Sequence, residues 1–151
     1  NMMWASSLAH NGLTQCGREF QLVVHQFEHE LSGMYPKIAH GAGLAALWCS
    51  WARYVYKANI SRWLQYSANV WNLDIDYEHP EKTIEEAINL QEQYYVSLGM
   101  PIALKALGVE EASLTKLALN CSRNKTRTLT GYKPLAYDDI LAIYQKAYER
   151  G

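Results

Sequence analysis

The chain predicts an all-α fold of about seven helices packed in layers around one core. Three observations carry this. Apolar residues recur three or four positions apart through most of the 151 residues. No stretch alternates with period two over a strand length. Glycine, proline and Asn-Gly signals break the pattern at helix-length intervals. An apolar share of 49% and a charged share of 19% exclude disorder, and the length suits one ordinary domain.

The elements follow in order. Residues 2–8 read as a short helix that ends before the turn signal Asn11-Gly12. Residues 18–34 read as a second, closed by Pro36, which cannot continue a helix. Residues 41–57 form a third, whose small start Gly41-Ala42-Gly43-Leu44-Ala45-Ala46 lets another backbone come close. A fourth follows over 60–71. His79-Pro80-Glu81 opens the fifth, with proline near the first position and acids in the first turn. Its apolar stripe is Ile84, Ala87, Ile88, Tyr95 and Leu98, and Gly99 and Pro101 stop it. Residues 110–119 give a sixth, and 138–150 the last, with Ile140, Ile143, Tyr144, Ala147 and Tyr148 at helical spacing.

Lys plus Arg is 14 and Asp plus Glu is 15, a net charge of −1. That balance gives no broad electrostatic reason to expect nucleic acid or a membrane as partner. The basic run Ser122-Arg123-Asn124-Lys125-Thr126-Arg127 reads as a solvated loop. The start has no secretory signal, Asn1 before Met2-Met3 reads as a cloning remnant, and no apolar run is long enough to span a bilayer. The odd, scattered set Cys16, Cys49 and Cys121 points to free thiols in a reducing, cytoplasmic setting. Sequons at Asn59, Asn120 and Asn124 read as chance matches. Trp48, Trp51, Tyr54 and Tyr56 share one helix and read mainly as core. The length excludes an enzyme with separate nucleotide and substrate domains.

Four of the five histidines, His10, His25, His29 and His40, fall in the first 40 residues. His25 and His29 are four apart on a helix and so stack on one face. His40 follows the break at Pro36 and can fold back to that face, and imidazoles suit Zn, Fe and Cu. A surface or hydrogen-bonded core pair is the competing reading. The segment also matches H-x-x-E-H, an inverted zinc-peptidase motif in which Glu28 acts as base. A non-catalytic helical module is a third alternative.

Three longer segments occur in order: Leu8-Ala9-His10-Asn11-Gly12-Leu13-Thr14-Gln15-Cys16-Gly17, His25-Gln26-Phe27-Glu28-His29-Glu30-Leu31-Ser32, and Ile38-Ala39-His40-Gly41-Ala42-Gly43-Leu44-Ala45. Together they resemble the iron-dependent (group III) alcohol dehydrogenases, in their NAD(P)H-dependent butanol dehydrogenase branch. The likeness runs on through Gly108-Val109, Arg127-Thr128-Leu129 and Lys133-Pro134-Leu135, essentially the whole chain.

The resemblance implies a helical C-terminal domain and a divalent metal, Fe or Zn, with His25 and His40 as two of its ligands. His29 is implied beside the metal as a catalytic group for proton relay or substrate orientation. Asn11 is implied in a loop lining the cofactor cleft. Pro36-Lys37 makes the loop before His40 one residue longer than the commoner family spacing. The substrates implied are small alcohols and aldehydes, with NAD(P)H as cofactor. The family's glycine-rich nucleotide loop and its Asp-x-x-x-His ligands have no counterpart here, since Gly41-Ala42-Gly43 follows no strand and Asp76 to His79 has the wrong spacing. The chain therefore reads as a C-terminal piece carrying half a metal site, inactive and without tightly held metal on its own. Self-association through an apolar face that includes Met2, Met3 and Trp4 is expected.

Overall fold

In a computed structural model, which describes residues 1–17 and 21–150, the predicted class is met: seven α-helices, and no strands among the described residues. They are α1 (Met2–His10), α2 (Val23–Met34), α3 (His40–Val55), α4 (Ile60–Trp71), α5 (Pro80–Ser97), α6 (Leu114–Cys121) and α7 (Tyr137–Glu149). A lone antiparallel bridge joins Leu129 to Leu135.

Helix α3 is the axis of the molecule. It packs against α2, α5 and α7, while α6 closes the group by packing on α2 and α7, and α4 lies on α5. The small residues along α3 explain its place. Gly43, Ala45, Ala46 and Ala52 are all buried and let neighbouring backbones approach. Leu47, Ile84, Ile88, Leu117, Ile140 and Ile143, each fully buried, fill the space between helices. Phe27 of α2 meets Tyr144 of α7 edge to face, with ring centroids 5.2 Å apart. The Tyr144 hydroxyl donates to the Phe27 carbonyl at 2.8 Å, so this buried phenol is satisfied.

Several boundaries differ from expectation, each for a physical reason. The second helix is expected from residue 18, but α2 begins at Val23. Gln21 and Leu22 are exposed and not helical, and residues 18–20 lie outside the described residues. The helix starts where Val23, Val24 and Phe27 first become buried, because packing stabilises a helix more than propensity does. Helix α3 starts at His40 and ends at Val55, and residues Tyr56–Asn59 tighten into a 3-10 turn. The sixth helix is preceded by a 3-10 turn over Glu111–Ser113 and runs on to Cys121. The last begins one residue early, at Tyr137, where the Asp139 carboxylate accepts from the Ala136 N–H at 3.0 Å.

Pro80 is the first residue of α5. Asp76 Oδ1 accepts from the N–H groups of Glu78 and His79, at 3.0 and 2.8 Å, and so turns the chain into α5. At Asn72 (φ 54°) α4 ends in the left-handed conformation that asparagine tolerates. All three cysteines are free, Cys49 and Cys121 buried and Cys16 exposed. No helix among the described residues is long and apolar enough to cross a membrane.

Candidate metal centre

Helix α2 points Val24, Phe27, Glu28 and Leu31 into the protein. His25 and His29 follow Val24 and Glu28 by one position each and lie at the rim of that face, His25 partly buried and His29 exposed. The chain turns at Tyr35 and Ile38, and α3 then begins at His40 directly beside them. The three imidazoles converge. Ring centroids are 5.2 Å apart for His25 and His40, 5.8 Å for His29 and His40, and 6.2 Å for His25 and His29.

Glu28 is the group that the motif reading misplaced. As a peptidase base it would face the metal and water; instead it is fully buried. Its Oε2 meets the Nδ1 edge of the His40 ring, and its Oε1 accepts from the Ser32 hydroxyl at 2.5 Å. A sequence signal for this exists: residue 28 falls on the same helical stripe as Val24 and Leu31, so a carboxylate there must be buried and must find partners.

The centre suits a cation. One donor atom each from Glu28, His29 and His40 lies within 4.8 Å of the others. Burial, then the neighbouring imidazoles of His40, His29 and His10, hold the His25 ring below its usual range and so favour its neutral, ligating form. Imidazole donors gathered at this spacing suit a borderline cation such as Zn or Fe.

The remaining candidates lie elsewhere. Asn11 ends α1, and its side-chain oxygen accepts from the Leu13 N–H at 3.1 Å. Asp76 is engaged in the turn before α5. Trp48 and Trp51 line an aromatic recess of about 410 Å³ with Trp63, Tyr66 and Tyr132, whereas Tyr56 is core. The basic run is largely exposed, with Arg123, Asn124 and Lys125 in a left-handed turn.

The protein is thus an all-helical domain with three histidine rings gathered beside the start of its central helix. The family model of the Fe-containing alcohol dehydrogenases, C-terminal, matches residues 1–148. The chain belongs to this iron-containing alcohol dehydrogenase family. NADH-dependent butanol dehydrogenase A of Clostridium acetobutylicum is 37% identical over 149 residues, covering 98% of this chain and 38% of that protein. NADPH-dependent aldehyde reductase YqhD of Escherichia coli is 28% identical over 151 residues, 97% of this chain and 37% of that protein. The crystal structure of NADH-dependent butanol dehydrogenase A from Thermotoga maritima superposes with a TM-score of 0.87 at 27% identity, over 97% of this chain and 38% of that one. The chain thus spans about 38% of the length of the curated butanol dehydrogenases it matches.

Proposed function

We propose that this chain is the metal-holding helical part of an NAD(P)-linked alcohol dehydrogenase that interconverts small alcohols and aldehydes, as its butanol dehydrogenase relatives are named for doing. The observation that carries the reading is the convergence of His25, His29 and His40 at the start of α3. His25 and His40 are the proposed metal ligands. A divalent cation, iron or zinc, supplies Lewis-acid polarisation of the substrate oxygen when bound there. NAD(P)H supplies the hydride.

The side chains of this domain do the rest. Burial, with the neighbouring imidazoles, lowers the His25 pKa and so favours the neutral ring whose lone pair can ligate. His40 is half exposed and open to the same space. His29, exposed beside both, is the proposed group that gives or takes the proton at the substrate oxygen. Asn11 lines the cofactor side of the cleft. The two imidazoles of His25 and His40 fall short of the three or four protein donors of a tight site. The further ligands, and the loop that holds the cofactor phosphates, are assigned to the part of the relatives' length that this chain does not span. The domain arrangement, a homo-oligomeric state and a cytoplasmic location belong to the same proposal. The zinc-peptidase alternative gains no support, because a buried Glu28 cannot reach a substrate-bound water.

A chimera tests the proposal. The chain replaces the matching segment of the Clostridium acetobutylicum butanol dehydrogenase A, and NADH oxidation with butanal is followed. Turnover is expected in the chimera, with a loss of at least about 100-fold in H25A and H40A variants, and not in the 151-residue chain alone. A folded chimera without activity, or one indifferent to both substitutions, overturns it.

A further inference from the structure

We propose that Glu28 is a positioning residue: its buried carboxylate grips the Nδ1 edge of His40, so that the ring presents Nε2 to the cation centre. Ser32 holds the other carboxylate oxygen, and Gly43 supplies the room. The inference rests on the cation reading of the histidine cluster and deepens it.

Burial sets the problem. A carboxylate removed from water costs several kcal/mol unless both oxygens find donors. Glu28 is fully buried, and the structure supplies two partners, Ser32 Oγ at 2.5 Å on Oε1 and His40 Nδ1 on Oε2. A carboxylate oxygen set against Nδ1 favours the tautomer that carries its hydrogen there, as is usual for ligating histidines held from behind. A neutral imidazole has one N–H, which leaves the lone pair on Nε2. The ring lies between a buried carboxylate on one side and open space on the other, its side chain 48% exposed. The rings of His25 and His29 stand 5.2 and 5.8 Å from that of His40, centroid to centroid.

Glu28 could instead be a ligand itself, since its oxygens lie near the nitrogens of His29 and His40. Its surroundings decide against this. Both oxygens are already engaged, and no part of the residue is exposed to a cation arriving from outside. The arrangement is also built from the other side. A Cβ on Gly43 would stand 2.8 Å from Glu28 Cγ and 2.9 Å from Oε1. Only glycine lets the first turn of α3 come this close to the carboxylate. The E of the H-x-x-E-H segment is thus a second-layer group that fixes a tautomer, which commonly changes metal affinity by about 10- to 100-fold.

Histidine side-chain nitrogen NMR on the full 151-residue chain tests this, first without metal and then in a zinc titration up to millimolar. His40 is expected as the Nδ1–H tautomer, with zinc shifting its Nε2 and leaving Nδ1 protonated. E28Q is expected to lose the fixed tautomer and to bind zinc about 10- to 100-fold more weakly. S32A, a milder change, is expected to weaken zinc binding several-fold and serves if E28Q does not fold. An ion pair that merely clamps α2 to α3 would lower the melting temperature and leave zinc affinity per folded chain unchanged. An Nε2–H tautomer of His40, or wild-type affinity in the folded variants, overturns the proposal and leaves the cation reading standing. No shift at either His25 or His40 in wild type overturns both.

Discussion

Gly43 shows how much one position can decide. Alanine is a better helix former than glycine by about 1 kcal/mol, so Gly43→Ala in an indifferent helix would stabilise the protein. Here the added Cβ meets Glu28 Cγ at 2.8 Å, Glu28 Oε1 at 2.9 Å and Leu31 Cδ2 at 3.2 Å. Those atoms belong to buried side chains with little room to move. Overpacking of this kind costs about 1–3 kcal/mol, so it wins. G43A is expected to lower the urea midpoint of unfolding, and a variant as stable as wild type or more so would contradict the close approach. The same substitution displaces the carboxylate behind His40. The H-x-x-E-H pattern describes spacing and says nothing of which side of the helix faces the core.

At the scale of elements, the ends of helices are held by side chains that the sequence names plainly. Asn59 precedes α4, and its Oδ1 accepts from the Arg62 N–H and the Ser61 hydroxyl, both at 3.1 Å. The first asparagine of a glycosylation sequon is therefore a helix cap. N59A is expected to destabilise the protein by about 1 kcal/mol in chemical denaturation, and a change near zero would show the cap to be idle. Helix α7 is tied in similarly. Asp139 accepts from Tyr54 of α3 at 2.8 Å and pairs with Lys133 at 2.9 Å. Burial opposes its ionisation, but the bonds from Lys133 and Tyr54 outweigh that and hold its carboxyl below the usual range. The first part of the α5 stripe, Ile84, Ala87 and Ile88, and the apolar positions of α7 were legible because period and burial agree, whereas Leu98 is exposed just past the end of α5. The start of α2 was not, because no capping residue marks it and the onset of packing sets it.

At the scale of the whole molecule, two thiols are buried in the core. Burial, with Glu92 nearby, pushes the Cys49 thiol up to about 11, and burial, with Glu30, pushes Cys121 up to about 12, from an ordinary value of 9.0. The unfolded chain releases these protons first. Stability from the neutral thiols is therefore complete below pH 9 and is lost as pH rises from 9 towards 11 and 12. The urea midpoint is expected to fall across that window, and a midpoint still flat at pH 11 would count against burial of the thiols. Self-association belongs to this scale too. Helix α1 has no buried residue, with Met2, Met3 and Trp4 exposed at 84%, 87% and 70%. Apolar surface of this kind tends to be covered by a partner. Light scattering is expected to show concentration-dependent dimers or larger species, reduced in W4S; a monomer at high concentration would remove that part of the proposal.

The sequence by itself determined the helical class, most helix spans, the free cysteines and the family, because period, breaker residues and ordered motifs are local properties of a chain. It also brought His25, His29 and His40 forward as a group. The tertiary structure alone decided that the rings converge at the start of α3, that Glu28 lies behind them rather than among the exposed donors, and that Gly43 makes room for it. Those facts depend on how α2 and α3 meet. Which side of a helix is covered depends on its neighbour, and a linear pattern shows only that one side must be.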